Sequence, residues 1–448
     1  AEAETLKGDD LAGRSKALGV GLLFSGTVRA KGPELDVSMR LDDPLQHASL
    51  WTAEMSQPAA QSDQLQARVG ALTVAVLNCS AQGLAPGAAL TDAALQAFLH
   101  ACELSQTAVH GIAGGRSAYA MLDAMRQAAR EAPDFAAAHS VLAKHLAFIA
   151  AYKLLDQTAS LREEAQREAN RALELDPEDP DGFVALGLLA PPLDFAQREK
   201  FFRKALASNP AWPHANGFLG NVMTDVGRLQ DAETQYERAA SVNPQSIDWS
   251  LEVPGEMIQL GQTDEADREL ARYSRLWPDD VEIWYDQLES MVVQKRWGDA
   301  LKVLDRAGDF APSISPAWVA DWRTLLTTLQ SGDAAGRNSL RGSLLASSGA
   351  NPQQAIVRLT MLGFVDDAFA VARSYSPVGP DRADSPGFLF EPETASLRRD
   401  PRFMALAARF GLVDYWQRTG RWADFCAEPG QPYNCKKEAA KIKAPPRA

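Results

Sequence analysis

Asn216-Gly217-Phe218-Leu219-Gly220 … Gly227-Arg228-Leu229-Gln230-Asp231-Ala232 … Tyr236-Glu237-Arg238-Ala239 … Asn243-Pro244 is one copy of a pattern that recurs along the middle of the chain. A proline closes each copy, at Pro177, Pro210, Pro244, Pro278 and Pro312, with successive spacings of 33, 34, 34 and 34 residues. Twelve residues before the proline stand Ala165, Ala232, Ala266 and Ala300, with Arg198 as the departure. Five before it stand Ala172, Ala205, Ala239 and Ala307, and Tyr273 departs. Eight before it come Phe202, Tyr236, Leu270 and Leu304, with Ala169 as the exception. Positions three and four apart share a helix face, so these residues make one packing stripe. Small residues let two helices approach, and the large one is expected to plug the gap between neighbouring hairpins. The proline cannot continue a helix and so starts the next turn.

A period near 34 with this punctuation resembles the tetratricopeptide repeat, a helix–turn–helix unit that stacks into a solenoid. Leu186-Gly187 and Leu219-Gly220 match that family's Leu-Gly pair, and Trp284 and Trp318 match its leading Trp. The match is specific over residues 134–312 and weaker on both sides. Pro254 stands where the small glycine belongs, which predicts a kinked first helix there.

The segment before the repeats has a different period. Leu23–Arg29, the alternation of Leu35, Val37, Met39 and Leu41, and Ala48–Glu54 read as three strands of a meander. A helix follows, with Leu65, Val69, Leu72 and Val76 on one face. Residues 4–18 read as helical. Leu18-Gly19-Val20, Phe24-Ser25-Gly26-Thr27-Val28-Arg29, Met39-Arg40-Leu41-Asp42 and Leu50-Trp51 … Glu54 together resemble the TolB-amino-terminal-like domain over about residues 5–80. The opening half of that domain is missing from the match. The family precedes tetratricopeptide arrays in membrane-anchored winged-helix regulators similar to CadC and in bacterial adenylate cyclases. The expected fold is therefore mainly α: a tetratricopeptide-repeat solenoid preceded by a small three-stranded α/β domain and followed by a C-terminal cap.

The expected division is 1–82 for the head, 83–133 for a linker and degenerate helical repeat, 134–375 for the solenoid and 376–448 for the tail. Residues 81–87 are Gly/Pro-rich and read as the linker. Helices are expected at Asp92–Val109 and Ser117–Glu131, and a lengthened pair over 135–172. Gly363, Ala368 and Ala372 mark one more half-matching copy. The tail, with Gly411-Leu412, Tyr415-Trp416 and Thr419-Gly420-Arg421-Trp422, is expected to cover the apolar edge that a repeat stack leaves open. The basic Lys436–Ala448 reads as frayed.

Composition narrows the function. The chain is 46% hydrophobic with a net charge of −13, which suits a folded protein and argues against gripping a phosphate backbone. The most apolar run, Val141–Leu155, is too short to span a bilayer and reads as a buried repeat helix; any membrane attachment is expected through a segment outside this chain. Of four cysteines, Cys426 and Cys435 flank a turn-rich loop, and Cys79 with Cys102 would be the second bridge; the alternative is four separate buried thiols. Bridges would favour a periplasmic or otherwise extracytoplasmic location over a cytoplasmic one.

No phosphate loop, nucleophile elbow or zinc-ligand cluster is present, so no cofactor and no catalytic role are expected. His139 and His145 read as packed histidines, Asp42-Asp43 and Asp279-Asp280 as turn and cap residues. The functional candidate is the inner face of the solenoid. By the resemblance to tetratricopeptide repeats, fixed positions of each first helix line a peptide-binding groove. Here these give His214, Asn221, Thr224, Asp225, Asp248, Leu251, Gln259, Glu282, Tyr285, Glu289, Val319 and Arg323. Such a mixture of acids, amides and an aromatic suits an extended protein or peptide partner; the alternative is a solvated polar face. The tryptophans read as packing residues. The expected function is a non-catalytic sensory or scaffold region of a bacterial regulatory protein. The alternatives are an assembly module that makes a homo-oligomer with its groove idle, or an enzyme.

Overall fold

The computed structural model describes residues 13, 15–16, 20–44, 46–84, 90–108, 115–152, 157–244, 246–310, 313–379, 382–383 and 385–442. The expected helix over 4–18, the 81–87 linker beyond Leu84, and Pro312 lie wholly or mostly outside them. The chain forms two compact units, Ala1–Ala185 and Leu186–Ala448.

In the first unit, β1 (Leu23–Lys31), β2 (Glu34–Asp43) and β3 (Ala48–Pro58) form an antiparallel meander in that order. Alternation decides which face is buried: Val37, Met39 and Leu41 point one way along β2 and join Leu50, Trp51 and Ala53 of β3 in the core. The register slips between Leu41 and Asp42, so that Leu41 faces Trp51 while Asp42 faces Ser49. This bulge leaves Leu50 as the extra residue on β3. Helix α1 (Ser62–Gly83) lays Leu65, Leu72 and Val76 on this sheet, and α2 (Asp92–Ala108) adds Leu95 and Leu99. The Cys79–Cys102 disulfide joins α1 to α2. Then come α3 (Gly115–Glu131), α4 (Ala136–Ala151) and α5 (Thr158–Leu175). Helix α4 is buried on nearly every side, as its apolar run requires; its Lys144 donates to Asp181 at 2.7 Å. His139 bonds Glu168 at 2.6 Å and the Pro133 carbonyl at 3.0 Å, and so is a packed histidine.

The repeats continue through α6 (Pro180–Leu189), which begins in the first unit, and α7 (Phe195–Ser208). The second unit adds four hairpins: α8 (Pro213–Asp225) with α9 (Leu229–Val242), α10 (Glu252–Gln259) with α11 (Thr263–Leu276), α12 (Val281–Val293) with α13 (Trp297–Asp305), and α14 (Pro316–Ser331) with α15 (Ala334–Ser347). A fifth, α16 (Pro352–Met361) with α17 (Val365–Ser374), is the copy marked by Gly363, Ala368 and Ala372. The repeating alanines Ala205, Ala232, Ala239, Ala266 and Ala300 are all buried. The large residue packs within its own hairpin as well as against the next one. A Cβ on Gly187 would sit 2.4 Å from Phe202, and one on Gly220 would sit 2.5 Å from Tyr236. The aromatic fills the notch left by the glycine of its own first helix, where any other residue would push the two helices apart, and Phe202 also stacks on Phe218 of the next hairpin, ring centroids 5.9 Å apart.

Two local expectations are corrected. Pro254 does not kink a helix; it lies in the first turn of α10, which starts late, at Glu252, where a missing N–H costs nothing. The basic tail does not fray at once either: α21 (Cys435–Ala439) is helical, capped by Asn434 and tied down by the Cys426–Cys435 disulfide.

The C-terminal region does cap the last repeat helix, and it does more. Arg402 stacks on Phe369 and pairs with Asp366 at 2.8 Å, while Phe410 meets Tyr375. Its helices α18 (Ala395–Arg398), α19 (Phe403–Arg409) and α20 (Leu412–Thr419) then carry the chain back to α7–α9. Trp416 Nε1 donates to the Val226 carbonyl at 2.9 Å, and Asp424 accepts from Gln230 N at 3.1 Å. Residues 385–394 form a strap linking α17 to this tail. Ser385 bonds Asp225 of α8 at 2.5 Å, and Gln353 of α16 reaches the Ser385 carbonyl at 3.4 Å. The strap thus runs along the first helices of the hairpins, the face on which the groove was expected. Gly227 serves both needs at once: its φ of +74° makes the turn, and a Cβ would strike Phe390 of the strap at 2.3 Å.

Candidate functional site

The expected groove residues divide into two sets. Those on α8 are spent on internal bonds. Asn221 accepts from Tyr236 at 2.9 Å, Thr224 donates to Glu256 at 2.7 Å, and Asp225 is held by Arg198 at 3.3 Å and by Ser385. Burial raises the Asp225 carboxyl, against the lowering effects of Arg198 and Ser385. His214 is partly buried at the start of α8. Asp248 lies in the turn before α10 and accepts from Ser246 at 2.9 Å.

Those on α10 and α12 border open space. Leu251, Glu252 and Gly255 face Val281, Glu282, Tyr285 and Asp286 across a depression of about 390 Å³. Helix α12 is set by Asp280, which accepts from the backbone of Glu282 and Ile283, the capping role expected for Asp279-Asp280. Spacing of three and four then puts Glu282, Tyr285, Asp286 and Glu289 along one face. Tyr285 remains 44% exposed. Burial raises Glu252 to about 7, helped by Glu282, and raises Asp286 well above its usual range, helped first by Glu289.

A second cavity, of about 230 Å³, adjoins the first through Tyr285. Its walls come from α12 (Leu288, Glu289, Val292), α14 (Trp318, Trp322), α16 (Gln353, Gln354, Val357, Arg358) and the strap (Phe388, Glu391, Glu393). Burial raises Glu289 to about 8, with Glu393 adding repulsion, and burial raises Glu391 well above its usual range. Gln259 reaches Glu289 at 3.5 Å. Arg323 does not join this wall; it pairs with Asp305 at 2.7 Å on the exposed side of α14. Val319 packs in the cluster around Trp284.

Sequence reasoning missed Trp318, Trp322, Arg358 and the strap acids. The tryptophans fit packing positions, and nothing in the repeat pattern says that residues 388–393 return to the inner face. Among the described residues no His/Cys/Asp/Glu group is arranged to hold a metal ion, and no helix is long and apolar enough to cross a membrane. No protein-family model matches the sequence, and no curated protein sequence matches it. Among solved structures, the chain aligns with the crystal structure of yeast Tom70 at a TM-score of 0.36 and 15% identity, over 78% of this chain and 70% of that one.

Proposed function

We propose that the chain is a non-catalytic protein-binding scaffold whose docking surface is the acidic depression between α10 and α12. The observation that carries this reading is the cluster of Glu252, Glu282 and Asp286 around an exposed Tyr285, on a repeat face that the strap leaves uncovered. Carboxylates held above their usual pKa by burial and mutual repulsion gain most from an incoming cation, so the favoured partner presents Lys or Arg in an extended segment. A net charge of −13 steers such a partner in. The resemblances in the sequence extend this reading to the sensory region of a bacterial regulator similar to CadC or to the repeat-bearing cyclases. The two disulfides favour an extracytoplasmic setting.

The test is binding of the purified chain to an array of basic extended peptides. Retention should weaken as salt rises and should be lost in Glu282→Arg with Asp286→Arg, the variant's melting temperature being checked in parallel. Peptides held equally well by the double reversal would exclude this surface.

A further inference from the structure

The smaller cavity carries a charge arrangement that peptide docking in the neighbouring depression does not use. Arg358 is only 4% exposed, and its guanidinium lies 5.3 Å from the Trp322 ring centroid. Its Nη1 reaches Asp321 at 3.7 Å, and Nε and Nη2 are buried without a hydrogen-bond partner. Those two N–H groups form one edge of the guanidinium fork, the edge that accepts a carboxylate through two parallel bonds. Across the cavity stand Glu289, Glu391 and Glu393, and Glu393 Oε2 is likewise buried and unpartnered. Among the described residues none of the three lies within 4.0 Å of Arg358, so the guanidinium and the three glutamates share a cavity without pairing with one another. Trp318 and Phe388 contribute ring surface between them.

Each simple ligand fails on one side. An inorganic anion would satisfy Arg358 and leave the three buried glutamates without a cation. An amine would satisfy the carboxylates and leave the guanidinium orphaned. Leaving buried charged donors unmade is costly, so a cavity of this kind rejects a ligand that supplies only one pole. A volume of about 230 Å³ also limits the occupant to a small molecule.

We propose that this cavity binds a free α-amino acid, with its carboxylate on the Nε/Nη2 edge of Arg358, its ammonium among Glu289, Glu391 and Glu393, and an apolar or aromatic side chain against Trp318 and Phe388. Because Phe388, Glu391 and Glu393 belong to the strap, the ligand fastens the strap to α12, α14 and α16. The site stands apart from the peptide-docking reading, whose deciding residues, Glu282 and Asp286, lie outside this cavity.

The experiment is calorimetry and thermal unfolding of the full chain with each common L-amino acid in turn. For any amino acid that binds, the same measurements follow with its amide and with its deaminated acid. At least one amino acid should bind one to one and raise the melting temperature, and either analogue should bind roughly 100-fold more weakly. Arg358→Met should fold with an unchanged or higher melting temperature in the absence of ligand, since it removes a buried charge with two unmade donors and only a long ion pair to an exposed Asp321, while its affinity falls about 100-fold. Glu393→Gln, isosteric and on the strap, should lose about tenfold in affinity and keeps the test alive if the arginine variant does not fold. A flat response to every amino acid, the result expected if only ordered water fills the cavity, would overturn the proposal. So would undiminished binding by Arg358→Met, or by both analogues.

Discussion

Two stretches of the inner face of the Leu186–Ala448 unit are built from the same repeat and hold their carboxylates in opposite ways. On α7–α9 the buried acids Glu199 and Asp225 both have cationic partners. Glu199 accepts from Tyr415 at 2.8 Å and Arg203 at 2.6 Å and is paired with Arg421, while Asp225 is held by Arg198 and Ser385. Across α10, α12 and the strap, Glu252, Glu256, Asp286, Glu289 and Glu391 are all raised by burial, and Arg358 keeps two unpaired donors. The first stretch has been closed by the tail. The second carries polar cost that packing does not explain, and such cost concentrates where a ligand is expected to remove it.

The strongest way to break this contrast is to remove what closes the first stretch. Trp416 is fully buried and bonds the Val226 carbonyl, so Trp416→Ala should cost about 3–5 kcal/mol in chemical denaturation. The loss should appear as a transition of the tail and α7–α9. If the tail rested only loosely there, the cost would stay below about 1 kcal/mol. A smaller effect comes from Cys426→Ser with Cys435→Ser. Opening this loop, whose ends are nine residues apart, should cost about 2–3 kcal/mol, read as a lower denaturation midpoint under non-reducing conditions.

A paired comparison sharpens the point. Glu199→Gln should cost about 2 kcal/mol, because Arg421 and Arg203 lose a charged acceptor that is itself buried. Arg358→Met, on the other stretch, should cost nothing. Equal losses at both sites would show that the two stretches are held in the same way.

The pH dependence follows from Glu256 and Glu289, both raised to about 8, first by burial. Glu256 faces Thr224, Glu252, Glu233 and Asp424; Glu289 faces Glu393, Glu391, Asp286 and Tyr285, with Arg358 and Arg398 the nearby cations. A folded pKa above the unfolded one means that the native state binds more protons. Their contribution is therefore complete below about pH 4.5 and is lost as pH rises through about 8. Melting temperature should fall across that window. Glu256→Gln with Glu289→Gln should flatten the profile, and an unchanged slope in the double variant would assign the effect elsewhere.

Much of this molecule is legible in its sequence, for a definite reason. The period of 34, the alternating strand residues and the paired cysteines are local or near-local signals, and the structure realises each as hairpins, meander and disulfides. The site was half legible. Glu282, Tyr285 and Glu289 are selected by the groove positions that the resemblance to tetratricopeptide repeats implies, and they border the two cavities. What makes their surroundings unusual comes from residues about 70–110 positions later, Arg358 on α16 and Glu391 and Glu393 on the strap, and no periodicity links them. The same long-range return helps to spend Asp225, through Ser385, while Asn221 is taken up by Tyr236 of its own hairpin.

Arg323 supplies the finest test, because it separates repeat register from tertiary placement within two adjacent residues. Repeat spacing assigns it to the groove, yet its guanidinium meets Asp305 of α13 at 2.7 Å, with the two side chains 44% and 63% exposed. An ion pair in that much solvent contributes under about 0.5 kcal/mol, so Arg323→Ala should leave stability, peptide retention and amino-acid binding unchanged. Trp322, one position earlier, faces the smaller cavity and carries Arg358 on its ring. One residue along a helix turns the side chain by about 100°, enough to exchange solvent for the cavity. Trp322→Leu should therefore weaken amino-acid binding by at least about fivefold through loss of the surface that orients the guanidinium. Equal behaviour of the two variants would mean that register, not the return of the strap, decides which residues of α14 take part.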